Sequence, residues 1–398
     1  MKTTEFAPSY FISLTNGIIP LLLIFYITQF EGLEVAGNYF LLLSYAGLTQ
    51  LIFDYGFNLG GIREVQENQN NKNTYATKKL LLISIILKAL FIIVLFVFLF
   101  FINEVYFEIN KNILFAVGLG SLVSLLNISW GFIGIKKTFE YYLFLLIYRL
   151  VFLMPIFFFE LGILSYLSIT LLPSCFLLLH YFKYLRNEQS FLRIFLQISY
   201  KDYIEVLSKY FSIFINGILG SGISLGWPLV LSFFLTTSQI GAFGFADRVI
   251  KGINMFFSPI PPLILSSQLQ LKNLNAKIAF PILVIFLLPV CFIILPFSIF
   301  EKLNVSGFIA IKEEFEFYFF LIPIYLLNML AYTTLLMKKL ETYYFYSLLS
   351  SIIFILITSS IISNKFYLPL FFELTTLTIS LIFLALYNKN NGKENKTS

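Results

Sequence analysis

Long apolar windows alternate with short polar clusters along almost the whole chain. The windows fall near 8–28, 36–57, 80–102, 112–135, 139–159 and 161–182, then near 208–233, 239–263, 278–300, 315–336, 341–363 and 367–387. Each is close to the ~20 apolar residues that a helix needs to cross a hydrocarbon core about 30 Å thick. Two connections are very short, at Glu160 and at Asn364–Lys365. The pattern predicts an all-α integral membrane protein of about twelve transmembrane helices. The first window lacks a small-residue cleavage site and continues as an ordinary span, so it is expected to stay in the mature protein.

The windows also repeat. Tyr10 to Ile18 reads YFISLTNGI and Tyr210 to Ile218 reads YFSIFINGI. Gly37-Asn-Tyr39 opens the second span and Gly241-Ala-Phe243 the eighth; KKTFEYY from Lys136 and KKLETYY from Lys338 precede the fifth and eleventh. The three matches keep their order at offsets of 200, 204 and 202. Each half begins on the same side, so the expected repeats are parallel six-helix bundles about an axis along the membrane normal, a transporter architecture. The predicted lobes are 1–182 and 208–398, joined by a basic linker at 183–207. Over the cytoplasmic connection from Lys183 to Lys209, Phe191, Leu192, Ile194, Phe195 and Ile198 stand among Arg193, Lys201 and Lys209. Both an amphipathic helix on an anionic inner leaflet and a plain connector fit that pattern.

Composition supports the same class: 59% of residues are hydrophobic, 12% are charged, and mean hydropathy is +0.86. A net charge of +6 would point to nucleic acid in a soluble chain. Here the positive-inside rule accounts for it. With the N-terminus inside, 19 Lys and Arg lie on the cytoplasmic side against four outside (Lys111, Lys302, Lys312, Lys365). Both termini are therefore expected in the cytoplasm. The 49 Phe and 24 Tyr read as the codon bias of an AT-rich genome. Cys175 and Cys291 fall in apolar windows and read as buried thiols. His180, beside Lys183 and Arg186, reads as interfacial.

Most enzyme classes lack their residues. There is no G-x-x-x-x-G-K-[ST] loop, one His, two separated Cys, and three Asp (Asp54, Asp202, Asp247). No cofactor or metal site is expected. The longest outer loop is about 301–314, too short for the outer domain of a membrane glycosyltransferase or polymerase.

The informative residues are ionisable groups inside spans, where a charge costs at least about 2.5–3.5 kcal/mol and usually faces a polar cavity. Arg149 lies near the centre of span five. Asp247, Arg248 and Lys251 share one side of span eight by their three- and four-residue spacing. Lys88 is about 12 Å into span three, within reach of snorkelling. Together these cations would line a positive chamber; a structural Asp247–Lys251 ion pair with a snorkelling Lys88 is the competing reading. Asp54 and Arg63 bracket D-Y-G-F-N-L-G-G-I-R, where Gly56 and Gly60 have the spacing that lets helices approach closely. Gly217, Gly220, Gly222, Gly226 and Trp227-Pro228 mark a broken helix fit to act as a hinge.

At these positions the chain resembles the Wzx-type O-antigen flippases of the multidrug/oligosaccharidyl-lipid/polysaccharide exporter superfamily. The residues that carry the resemblance are Pro20, A-G-N-Y at 36–39, D-Y-G-F at 54–57 with Arg63, and G-A-F-G-F-A-D-R at 241–248. It implies a MATE-like fold of two pseudo-symmetric bundles in the bacterial inner membrane. It also implies an undecaprenyl-pyrophosphate-linked oligosaccharide as substrate, moved from the cytoplasmic to the periplasmic leaflet by alternating access. Lys88, Arg149, Arg248 and Lys251 would hold the anionic headgroup, and Asp247 and Asp54 would be the ion-coupling carboxylates. Partners would be membrane lipids, a polysaccharide polymerase and a chain-length regulator. A drug/cation antiporter of the same superfamily would share the fold but favour acidic cavity residues, whereas four basic residues lie within the spans here. A membrane glycosyltransferase or polymerase is the more distant alternative.

Overall fold

A computed structural model describes residues 18–105, 110–159, 161–184, 191–255, 321–337, 341–362 and 365–397. Span nine, the C-terminal end of span eight, the start of span ten and Cys291 lie outside the described residues. The described residues are helical, with seven helices long and apolar enough to cross a membrane and two shorter apolar ones. The protein is a multi-pass, all-α membrane protein. Large apolar side chains such as Ile93, Val94, Val97, Phe98, Phe100 and Phe101 are exposed along one helix, as a lipid-facing surface requires.

The elements in chain order are α1 (Ile18–Glu31), α2 (Leu33–Asp54), α3 (Phe57–Asn70), α4 (Thr74–Val105), α5 (Lys111–Leu126), α6 (Ser129–Gly134), α7 (Thr138–Leu153), α8 (Ile163–Leu171), α9 (Leu177–Tyr184), α10 (Phe191–Gln197), α11 (Tyr200–Gly217), α12 (Ile223–Leu231), α13 (Thr237–Met255), α14 (Leu321–Met337), α15 (Glu341–Thr358) and α16 (Leu368–Thr397). They form two compact units: Met1–Pro20 with Asn38–Gly226, and Leu21–Gly37 with Trp227–Ser398.

Unit one is built on interrupted helices. α2 ends at Asp54; Tyr55 and Gly56 have φ of 47° and 79°, and α3 starts at Phe57. Gly56 accepts this left-handed backbone without a Cβ clash. Asp54 Oδ2 then takes the Asn58 amide proton at 2.9 Å in the new helix's first turn. The glycine spacing seen in the sequence meets α11: Gly56 lies against Ile213 and Phe214, and Gly60 against the Tyr210 ring. α5 breaks similarly at the extended Asn127 before α6, and Asn127 Oδ1 accepts the Ser129 amide proton at 3.0 Å. Phe57, Leu80, Leu87, Trp130, Phe132, Tyr181, Val206 and Tyr210 are among the buried residues of the core.

The inter-lobe connection is ordered where described. Ile194 of α10 is buried while Phe195 and Leu196 are exposed, and Gln197 accepts a hydrogen bond from the Tyr75 hydroxyl at 2.9 Å. Ser199 and Asp202 form a capping box that starts α11. Polar side chains then fasten α11 to the first-half helices: Lys79 to Asp202, and both Lys209 and the Tyr210 hydroxyl to Glu64, each at 2.8 Å. Past Gly217 the helix passes through a π-turn at Ile218–Gly222 into α12, which contains Pro228. The glycines thus mark an irregular turn, whereas the helix runs unbroken through Trp227-Pro228. His180 stacks on Phe144 with ring centroids 3.8 Å apart and shares a 2.6 Å hydrogen bond with the Tyr148 hydroxyl.

Unit two joins α15 and α16 through small polar residues. Ser380 donates to Ser347 and Thr376 to Ser351, each at 2.9 Å. These four residues sit at i, i+4 on their helices, so one seam of hydroxyls draws α15 and α16 together, as small residues do in apolar surroundings. Phe25 of α1 meets Phe245 of α13 edge-on, and Trp227 meets Phe372 of α16 the same way.

Candidate functional site

The charged residues predicted from the sequence are divided between the units: Asp54, Lys88 and Arg149 in the first, Asp247, Arg248 and Lys251 in the second.

In unit one Lys88 does not reach outward. Its side chain is 1% exposed, and Nζ lies 3.2 Å from Asp54 Oδ1 and 3.0 Å from the Ser124 carbonyl oxygen. The Phe57 ring centroid is 5.4 Å from the same nitrogen. A buried ion pair of this kind is neutral as a whole, and each partner offsets part of the cost of burying the other. Arg149, half-buried on α7, is within electrostatic reach of Tyr141 and Tyr39. The Tyr39 hydroxyl in turn shares a 2.7 Å hydrogen bond with Thr170.

In unit two the i, i+4 spacing on α13 produces its contact: Lys251 Nζ lies 2.7 Å from Asp247 Oδ2. The pair weighed as a structural alternative is present. Arg248, between them in sequence, is partly buried, and its Nε has no hydrogen-bond partner among the described residues. Buried guanidinium protons are normally answered by an acceptor, so this nitrogen is a place for an anionic oxygen or a water.

One acid was missed. Glu373, in the second turn of α16, is buried, and Asn328 Nδ2 of α14 donates to its Oε2 at 2.6 Å and to its main-chain carbonyl at 2.9 Å. Asp247 and Lys251 lie within electrostatic range of it. The signal was present: a carboxylate a full turn inside an apolar window, too far in to be an end-of-span charge. Among the described residues no group of three His, Cys, Asp or Glu side chains could hold a metal ion.

No protein-family model matches the chain, and no curated protein matches it in sequence. A solved structure is similar in fold: the inward-facing conformation of a multidrug resistance MATE family transporter of the MOP superfamily. It superposes with a TM-score of 0.58 at 12% identity, covering 96% of this chain and 99% of that one. The fold is therefore that of a MATE transporter, as the sequence implied.

Proposed function

We propose that this protein is a flippase for lipid-linked oligosaccharides, carrying an undecaprenyl-pyrophosphate-linked repeat unit from the cytoplasmic to the periplasmic leaflet of a bacterial inner membrane. The observation that carries this reading is Arg248, whose buried Nε–H lacks a hydrogen-bond partner among the described residues, next in sequence to Asp247, which is already paired with Lys251. Guanidinium matches phosphate oxygens in a planar, two-point geometry. A pyrophosphate and its sugars cannot enter hydrocarbon unaided, whereas the polyprenyl tail can remain in lipid. Arg149 is the corresponding cation of the first half, in lobes 1–182 and 208–398 with both termini cytoplasmic.

In this reading Asp247 is the coupling group. Protonated, it releases Lys251 to engage phosphate; deprotonated, it takes Lys251 back. A two-state carrier can be biased only by such a difference between its states. A polysaccharide polymerase and a chain-length regulator would use the exported product.

Glu373 favours a second reading, a cation-coupled antiporter of drugs or metabolites, because a buried acid held by a neutral amide suits a cationic passenger. Reconstituted protein separates the two. The flippase moves a short-chain polyprenyl-pyrophosphate oligosaccharide between leaflets and leaves organic cations unmoved. Uptake of an organic cation without lipid movement overturns it in favour of the antiporter.

A further inference from the structure

Two helix breaks and one lysine meet inside unit one. α2 stops at Asp54 and α3 starts at Phe57, while α5 stops at Leu126 and α6 starts at Ser129. Lys88 belongs to the unbroken α4 and reaches both breaks: Asp54 Oδ1 at 3.2 Å from the first, the Ser124 carbonyl oxygen at 3.0 Å from the second. The last carbonyls of a helix have no amide partner within it, which leaves the Ser124 oxygen available. The centroid of the Phe57 ring stands 5.4 Å from the ammonium.

We propose that Asp54, the Ser124 carbonyl and the Phe57 ring form a monovalent-cation cage that the chain plugs with its own Lys88 ammonium, so that shortening Lys88 opens a Na⁺ or K⁺ site there. The donors are hard oxygens, one of them charged, with an aromatic face, which is the chemistry of alkali-cation binding. One carboxylate balances one positive charge, and a divalent ion would leave an uncompensated charge in a buried site. Unwound backbone carbonyls coordinate small cations in transporters with broken helices; here a tethered cation stands in that position. Because its stem is anchored on α4, the ammonium cannot exchange with the solution. Asp54 then serves as its fixed counter-ion, and ion coupling falls to the carboxylates of unit two. The proposal does not depend on the flippase reading, because binding is read without transport.

The test is thermal unfolding of the purified full chain at constant ionic strength in NaCl, KCl or choline chloride. Wild type is expected to unfold at the same temperature in all three. Lys88→Ala should unfold earlier in choline and recover by a few degrees, saturably, as Na⁺ or K⁺ replaces it, since a ligand that binds only the folded state stabilises it. Lys88→Ala with Asp54→Asn should lose that response. Lys88→Met, which keeps the stem in the cage, should show none. Lys88→Ser provides a second small replacement. If Lys88→Ala and Lys88→Ser unfold alike in all three salts, or fail to fold in any of them, the proposal is overturned. It is equally overturned by a wild-type response to Na⁺ or K⁺ that Asp54→Asn removes.

Discussion

Gly37 and Gly241 face each other's helices by one relationship read in both directions. A methyl group on Gly37 would collide with the Thr237 carbonyl oxygen, and one on Gly241 with the Leu33 carbonyl oxygen. Thr237 and Leu33 are the first residues of α13 and α2, each four positions before the glycine of its own helix. These are the glycines paired by the sequence repeat at an offset of 204. The repeat is thus a local two-fold contact in which two backbones touch without side chains between them, as small residues permit in membranes.

Gly37→Ala and Gly241→Ala should each lower stability by about 1–3 kcal/mol, because the obstacle is a carbonyl and cannot rotate away. Gly118→Ala, whose added methyl would meet only the Phe96 ring at 3.6 Å, is the matched control. Unfolding midpoints of the three purified variants check this; equal midpoints for all three would remove the contact from the account.

Sidedness is open to reporter fusions. Fusions at residue 70, within 183–207 and at the C-terminus should report cytoplasm, and those at 33, 107 and 307 periplasm. An odd number of crossings between 70 and 190 would be incompatible with parallel six-span halves.

Arg149→Ala and Arg248→Ala should each slow lipid-linked oligosaccharide flipping by about ten- to a hundredfold, the worth of one hydrogen bond to a charged group. The variants should remain abundant in the membrane. Arg→Lys at either position should restore only part of the rate, since the ammonium keeps the charge but loses the planar fork. Normal flipping by both alanine variants would return these arginines to structural roles.

Coupling separates the two carboxylates of unit two. Asp247→Asn should still bind the lipid-linked sugar but lose the response of flipping to a proton or sodium gradient in proteoliposomes. Glu373→Gln, which keeps an oxygen to accept the Asn328 amide, should retain that response if Asp247 is the coupling group. A response lost in Glu373→Gln and kept in Asp247→Asn would transfer the role to Glu373. Wild-type flipping that ignores both gradients would make the protein a passive scramblase.

Membrane class and the helical pattern could be read from the chain because hydropathy is a property of each residue and spans are contiguous. The Asp247–Lys251 pair was readable for a related reason: four residues along a helix bring side chains to one side whatever surrounds it. The π-turn at Ile218–Gly222 likewise followed from the local backbone preference of its glycines. The contacts between helices did not. Asp54 and Lys88 are 34 positions apart, Asn328 and Glu373 are 45 apart, and the Ser347–Ser380 seam joins two different spans. Each depends on how helices rotate about their own axes and which neighbours they meet. In a soluble helix an apolar stripe announces the buried face; here lipid and core are both apolar, so the pattern carries no such stripe and packing alone sets the rotation. That is why Lys88 read as a chamber residue, with snorkelling as the alternative, until two helix breaks were seen to close around it.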